Sequence, residues 1–255
     1  MTELQKAIEI MTRRIVSILD PCDPSIYLYG SIALGDFKLG WSDIDILVLT
    51  REPISEAQAY QLVHLRQIML AEEPENPYYR SFEGGMLTIS SFLSGEKDRV
   101  VYWGTSGERI TTRYGFDSFS MGELLDSGIQ LYGADVREHL SYPTYNQLKA
   151  DVCRHYETIR QYAQKTGRDL YSYGWLLDIC RCIYTLRTGK IIAKTAAGEW
   201  ALREEICPCA DVLARAVEVR KEPNKFKADA RTFDYAETLG NCIQAYADVL
   251  ERELI

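Results

Sequence analysis

Residues 25–50 read SIYLYGSIALGDFKLGWSDIDILVLT. Ser25 to Tyr29, rich in aromatic and β-branched residues, fits a short buried strand. Gly30 then lets the backbone turn tightly and approach a ligand closely. Ser31 offers a hydroxyl, and a short helix starting there would leave free amides that favour phosphate. Asp43 to Thr50 fits a second strand, with Ser42 just before it. Residues two apart on a strand share a face. Asp43 and Asp45 therefore point one way, and Ile44, Ile46 and Val48 the other, into a core. Adjacent carboxylates repel unless a cation lies between them. Magnesium bound by one or two carboxylates plus substrate phosphates is the usual solution.

The flanking sequence supplies a mixed fold. Apolar residues at Leu4, Ile8, Met11, Ile15, Ile18 and Leu19 predict a helix over 3–19, ended by Pro21 and Pro24. Ser55 with Gln58 forms a capping box that opens a helix to about residue 73. A third strand is expected within 83–90. Ser120 with Glu123 reads as a second capping box before a short helix, and 128–133 as a last strand with its turn. After Pro143 the strands disappear, and 146–165, 172–187, 194–203, 209–220 and 231–253 all read as helices. The expected fold class is α+β. A mixed β-sheet with flanking helices over 1–145 is followed by an α-helical bundle over 146–255.

The chain has 255 residues, 46% hydrophobic and 26% charged, enough to bury a core without disulfides or metal. Its net charge of −8 argues against nucleic acid as a partner and suits a cationic one. Residues 1–145 hold 12 basic and 21 acidic side chains, and residues 146–255 hold 17 and 16. The acidic excess thus lies with Asp43 and Asp45, and the asymmetry suggests two domains with different roles. No basic start leads into an apolar core at the N-terminus, and no run of about 18 apolar residues exists, so neither a signal peptide nor a membrane span is expected. Seven cysteines in no disulfide-framework spacing suggest reduced thiols and a cytoplasmic protein.

The run YGSIALGDFKLGWSDIDILV (residues 29–48) resembles the signature of the nucleotidyltransferase superfamily: Gly-Ser, a Gly four residues after the Ser, then Asp-x-Asp on a strand. In the second half, Arg181, Thr188-Gly189-Lys190-Ile191, Lys194 and Ala197-Gly198-Glu199-Trp200-Ala201 resemble the helical domain of aminoglycoside nucleotidyltransferases, in particular streptomycin/spectinomycin adenylyltransferases. The resemblance implies a two-domain enzyme whose helical part closes over the active site. It implies AMP transfer from ATP, or another NTP, to a hydroxyl of a small acceptor such as an aminoglycoside antibiotic, with release of pyrophosphate. Gly30, Ser31 and Ser42 would meet the triphosphate. Asp43 and Asp45 would bind Mg2+, and Arg181 and Lys194 would reach the nucleotide from the helical domain. The family also places an acid on a further strand, as general base and metal neighbour. Glu83 is the candidate, although alignment on the apolar core of that strand puts Met86 there instead; Asp178 stands in reserve. A lincosamide, another small alcohol or a protein hydroxyl remain alternative acceptors. A non-catalytic nucleotide-binding module is the alternative outside enzymes. A monomer or homodimer is expected.

Other features have plainer readings. Trp103 is a candidate substrate aromatic, set against a packed core residue. Cys180 and Cys182, two apart on a helix, do not share a face and make poor zinc ligands. His64, His139 and His155 fall in no catalytic or metal pattern.

Overall fold

The protein is described by a computed structural model over residues 1–104 and 107–255. Its contacts divide the chain into two compact units. The first comprises Met1–Ala33, Asp43–Phe116 and Glu123–Tyr142; the second comprises Leu34–Ser42, Asp117–Gly122 and Pro143–Ile255. Two pieces of the N-terminal half, residues 34–42 and 117–122, thus belong with the helical part.

The first unit is built on a mixed sheet of β1 (Pro24–Leu28), β2 (Ile44–Thr50), β3 (Phe82–Thr88), β4 (Val100–Trp103), β5 (Arg109–Thr111) and β6 (Ile129–Tyr132), in the order β5-β4-β3-β2-β1-β6. Only β2 and β3 run parallel among these strands; the other neighbours are antiparallel. The helices of this half are α1 (Glu3–Leu19), α2 (Gly30–Ala33), α3 (Glu56–Glu72), α4 (Ile89–Ser94) and α5 (Ser118–Ser127). Helix α3 begins at the expected capping box, with Ser55 and Gln58 bonded to each other's backbone. Ile44, Ile46 and Val48 of β2 are fully buried. On the opposite face, Tyr27, Tyr29, Leu47, Leu49 and Leu87 form a second apolar cluster.

Strands β4 and β5 are additions to the sequence expectation. They are short, and β5 lies at the sheet edge with two of its three residues exposed, so neither shows the alternation that marks a strand. The capping box at Ser120 is corrected. Helix α5 already starts at Ser118, and the Ser120 amide donates to Asp117 Oδ1 at 2.7 Å. Glu123 is therefore an interior helix residue.

The second unit holds α6 (Tyr145–Tyr162), α7 (Gly174–Thr188), α8 (Lys194–Arg203), α9 (Ala210–Lys221), α10 (Pro223–Phe226), α11 (Ala230–Ala236) and α12 (Gly240–Leu254) around one apolar core. The helix expected over 231–253 is two helices. The chain bends where Gly240 passes the Gln164 carbonyl, so closely that a Cβ would collide with it. The cysteines are free, and Cys180 packs in this core against the Tyr246 hydroxyl at 3.4 Å.

Candidate active site

In the first unit, the turn after β1 and the start of β2 come together. The Tyr29 amide donates to the Asp45 carbonyl at 3.1 Å, extending the β1–β2 ladder to the turn. Gly30 follows with φ +64, a conformation that disfavours any side chain. A Cβ there would strike the Asp45 carboxylate, so only glycine lets the turn close over it. The Ser31 backbone amide favours the charged form of that carboxylate, and the Ser31 hydroxyl donates to the Asp43 carbonyl at 3.4 Å. Asp43 is exposed immediately before β2, and Asp45 is partly buried within it.

Strand β3 adds the next acid. Glu83 is the register partner of Asp45 in the parallel pair, so both side chains lie on one face. Tyr102 on β4 donates its hydroxyl to Glu83 Oε1 at 3.0 Å. Met86 is three residues on, hence on the opposite face, and fully buried. A fourth acid, Glu123 of α5, is buried at 6% exposure and acts on Asp45 more strongly than either Asp43 or Glu83. Burial, then Glu123, Asp43 and Glu83, push the Asp45 carboxyl up to about 8; the Ser31 amide pulls the other way and is outweighed. Glu123 escaped the sequence reading because Ser120-x-x-Glu123 imitates a helix cap. Its signal is positional: once Asp117 is the cap, the acid sits inside the helix and needs another reason.

The second unit gathers a different set. Lys194, first residue of α8, pairs with Asp178 of α7 at 2.8 Å. Burial would raise the Asp178 carboxyl, but Lys194 and Arg181 outweigh it and hold it below its ordinary value. Asp178, the reserve candidate for the base, is thus engaged as the partner of Lys194. Arg181 lies over the Phe119 ring at 5.3 Å. His155, which falls in no catalytic or metal pattern of the sequence, stands 4.0 Å from Asp117 and edge-on to Phe119. Burial lowers its pKa against the pull of Asp178 and Asp117. Ser42 is buried, and its hydroxyl accepts from the Lys38 amide at 3.0 Å, bracing its own loop.

Trp103 is corrected. It is fully buried, and its indole N–H donates to the Leu62 carbonyl at 2.9 Å. Its ring offers no face to a substrate.

Among the described residues, no three His, Cys, Asp or Glu side chains are gathered into a metal cage. The arrangement suits a cation shared with substrate phosphates instead. Asp43, Glu83 and Glu123 all act on Asp45, and the negative charge these acids share favours a cation there. Among the described residues, no helix is long and apolar enough to cross a membrane.

Comparison with known proteins bears on the two halves of the chain and on the fold. Residues 10–78 match the family model of a nucleotidyltransferase domain, and residues 146–248 that of the aminoglycoside adenylyltransferase C-terminal domain. The fold is similar to that of the spectinomycin adenyltransferase AAD(9) from Enterococcus faecialis, solved with ATP and spectinomycin. The TM-score is 0.67 at 15% identity, over 97% of this chain and 99% of that one. No curated protein matches the sequence.

Proposed function

The chain belongs to the nucleotidyltransferases that carry an aminoglycoside adenylyltransferase C-terminal domain, and from that premise we propose that it transfers AMP from ATP to a hydroxyl of an aminoglycoside-type antibiotic, releasing pyrophosphate. The observation that carries the reading is the pairing of Asp45 with Glu83 on one face of the sheet, beneath the Gly30–Ser31 turn.

Asp43 and Asp45 would hold Mg2+, which when bound neutralises charge on the triphosphate. The Ser31 amide favours the charged form of the Asp45 carboxylate. Tyr102 occupies Glu83 Oε1, leaving Oε2 to take the proton of the acceptor hydroxyl. The acceptor oxygen then attacks the α-phosphorus in line with the departing pyrophosphate. Arg181 and Lys194 supply positive charge to the triphosphate, and Asp178 orients Lys194. Ser31 meets a phosphate through its hydroxyl, and Ser42 contributes through the loop it braces. Positioning and electrostatics provide most of the rate. The acidic excess of the first 145 residues supports a cationic acceptor.

Pyrophosphate release from Mg·ATP, with mass analysis of the product, tests the reading across spectinomycin, streptomycin, other aminoglycosides and a lincosamide. An adenylylated aminoglycoside or spectinomycin is expected. Adenylylation of the lincosamide alone keeps the chemistry and changes the acceptor. ATP binding without turnover on any acceptor favours a nucleotide-binding module. Turnover that survives Asp43→Asn combined with Asp45→Asn sinks the mechanism.

A further inference from the structure

The loop between α2 and β2 carries a carboxylate with no role so far. Asp36 is 5% exposed, and both its oxygens are engaged. Oδ1 accepts from the Thr195 hydroxyl at 2.7 Å, and Oδ2 from the Thr195 amide at 3.3 Å. Arg220 of α9, 4% exposed, donates Nη2 to Asp36 Oδ2 and to its carbonyl, each at 3.3 Å. Lys38 Nζ lies 3.7 Å from Oδ1. The Arg220 guanidinium also covers the Trp41 ring at 5.5 Å, so one arginine grips the loop at both ends.

Helix α8 explains the engagement at Thr195. Its N-cap residue is Ala193, which has no side chain to satisfy the first amides. Asp36 supplies the missing acceptor and a negative charge at the positive end of the helix. The residue beside Thr195 is Lys194. The loop that Asp36 anchors ends at Ser42, whose hydroxyl and amide close the turn on Lys38. Asp36 therefore binds into one frame two residues assigned above to the nucleotide. A buried ion pair adds little stability over an apolar pair of the same size, so the position it fixes is the better reason for its presence.

Resting on the proposed AMP transfer, we propose that Asp36 is a positioning residue for the nucleotide: by pinning the 34–42 loop to the first turn of α8 and to Arg220, it sets the spacing of Ser42 and Lys194 for the triphosphate. It touches no reacting atom. Its loss weakens ATP binding while the acceptor and the chemical step are spared.

Asp36→Ala leaves Arg220 buried and uncompensated, so it is expected to lower the Tm sharply. The double variant Asp36→Ala/Arg220→Met removes both charges and is expected to recover most of that Tm. Binding of Mg·ATP by calorimetry, with KM for each substrate, then separates the roles. In the double variant ATP binds about tenfold more weakly or worse, with kcat and acceptor KM near wild type. Thr195→Val and Asp36→Asn, milder changes that keep the fold if the double variant does not, raise KM for ATP a fewfold in the same pattern. ATP affinity that returns to wild type with Tm, or remains wild type in both mild variants, overturns the proposal, as does an equal loss in kcat. Wild-type protein that fails to bind Mg·ATP overturns the proposed function instead.

Discussion

Asp45 on β2 stands directly opposite Glu83 on β3 in the parallel pair. In-register neighbours across adjacent strands are about 4.8 Å apart, and their side chains leave the sheet on the same side. Two carboxylates so placed repel each other. Burial, with Glu123, Asp43 and Glu83 around it, holds the Asp45 carboxyl up to about 8. The arrangement opposes its own charge, as expected where a cation and a phosphate are to be received.

Asp45→Asn should abolish turnover and yet stabilise the metal-free protein. The folded pKa of Asp45, about 8, lies above the ordinary value near 3.8. Between those values the folded state holds a proton that the unfolded state has lost, so stability falls as pH rises through this window. The penalty is complete above about pH 8 and absent below about pH 4. Asparagine removes it. In thermal unfolding with a chelator, the Tm advantage of Asp45→Asn should grow from pH 5 to pH 9; an equal advantage at both ends would contradict the assignment.

Glu83→Gln tests the proton acceptor. General-base removal typically costs about 10²–10⁴ in rate. A kcat loss of that order is expected, with KM for ATP and the Tm close to wild type. Tyr102→Phe removes only the hydroxyl that holds Glu83 Oε1 and should lower kcat by about tenfold, on the scale of one hydrogen bond to a charged group. If Tyr102→Phe reduced activity as much as Glu83→Gln, Tyr102 rather than Glu83 would be the group at the acceptor.

Much of this was legible because it is local. Gly30-Ser31 forms one turn and Asp43-x-Asp45 the entry to one strand, where period-two alternation indicates which side chains share a face. Glu83 was reachable from its place ahead of an apolar run, but its partnership with Asp45 comes from strand pairing, which no local pattern specifies. Glu123 was hidden by a helix-cap pattern that tertiary structure overrode. Trp103 could be read two ways, and only the Leu62 carbonyl above its indole decides between them. Asp36 carried no signal, since its partners Thr195 and Arg220 belong to helices far along the chain.

Gly30→Ala should be inactive as well as less stable. At φ +64 a side chain costs about 1–2 kcal/mol, and this one would also drive into the Asp45 carboxylate. A Tm lower by several degrees and kcat/KM down by about 10² or more are expected, since displacing a catalytic group by about 1 Å costs that much. A fully active Gly30→Ala protein would mean that the turn does not set the position of Asp45.

Trp103→Phe separates packing from recognition. The substitution leaves the Leu62 carbonyl without its donor and opens space beside β4. A loss of about 1–3 kcal/mol in unfolding free energy is expected, with acceptor KM unchanged. A large rise in acceptor KM at unchanged stability would restore Trp103 as a substrate contact.

Glu123 offers the sharpest test of the four-acid arrangement, because it lies outside the Asp-x-Asp motif and is the first carboxylate among the influences on Asp45. Glutamine in its place keeps the shape and removes the charge. The Asp45 carboxyl should then return toward its ordinary range, so the fall in stability between pH 4 and pH 8 should be shallower than in wild type. The response to Mg2+ should change as well. With less negative charge to neutralise, the Tm gain on adding the ion should shrink and the half-saturating concentration should rise severalfold. Turnover at saturating Mg2+ should survive better than in Asp45→Asn, which removes a proposed ligand outright. A pH slope and Mg2+ response identical to wild type would show that Glu123 does not act on Asp45, and would reduce the cluster to Asp43, Asp45 and Glu83.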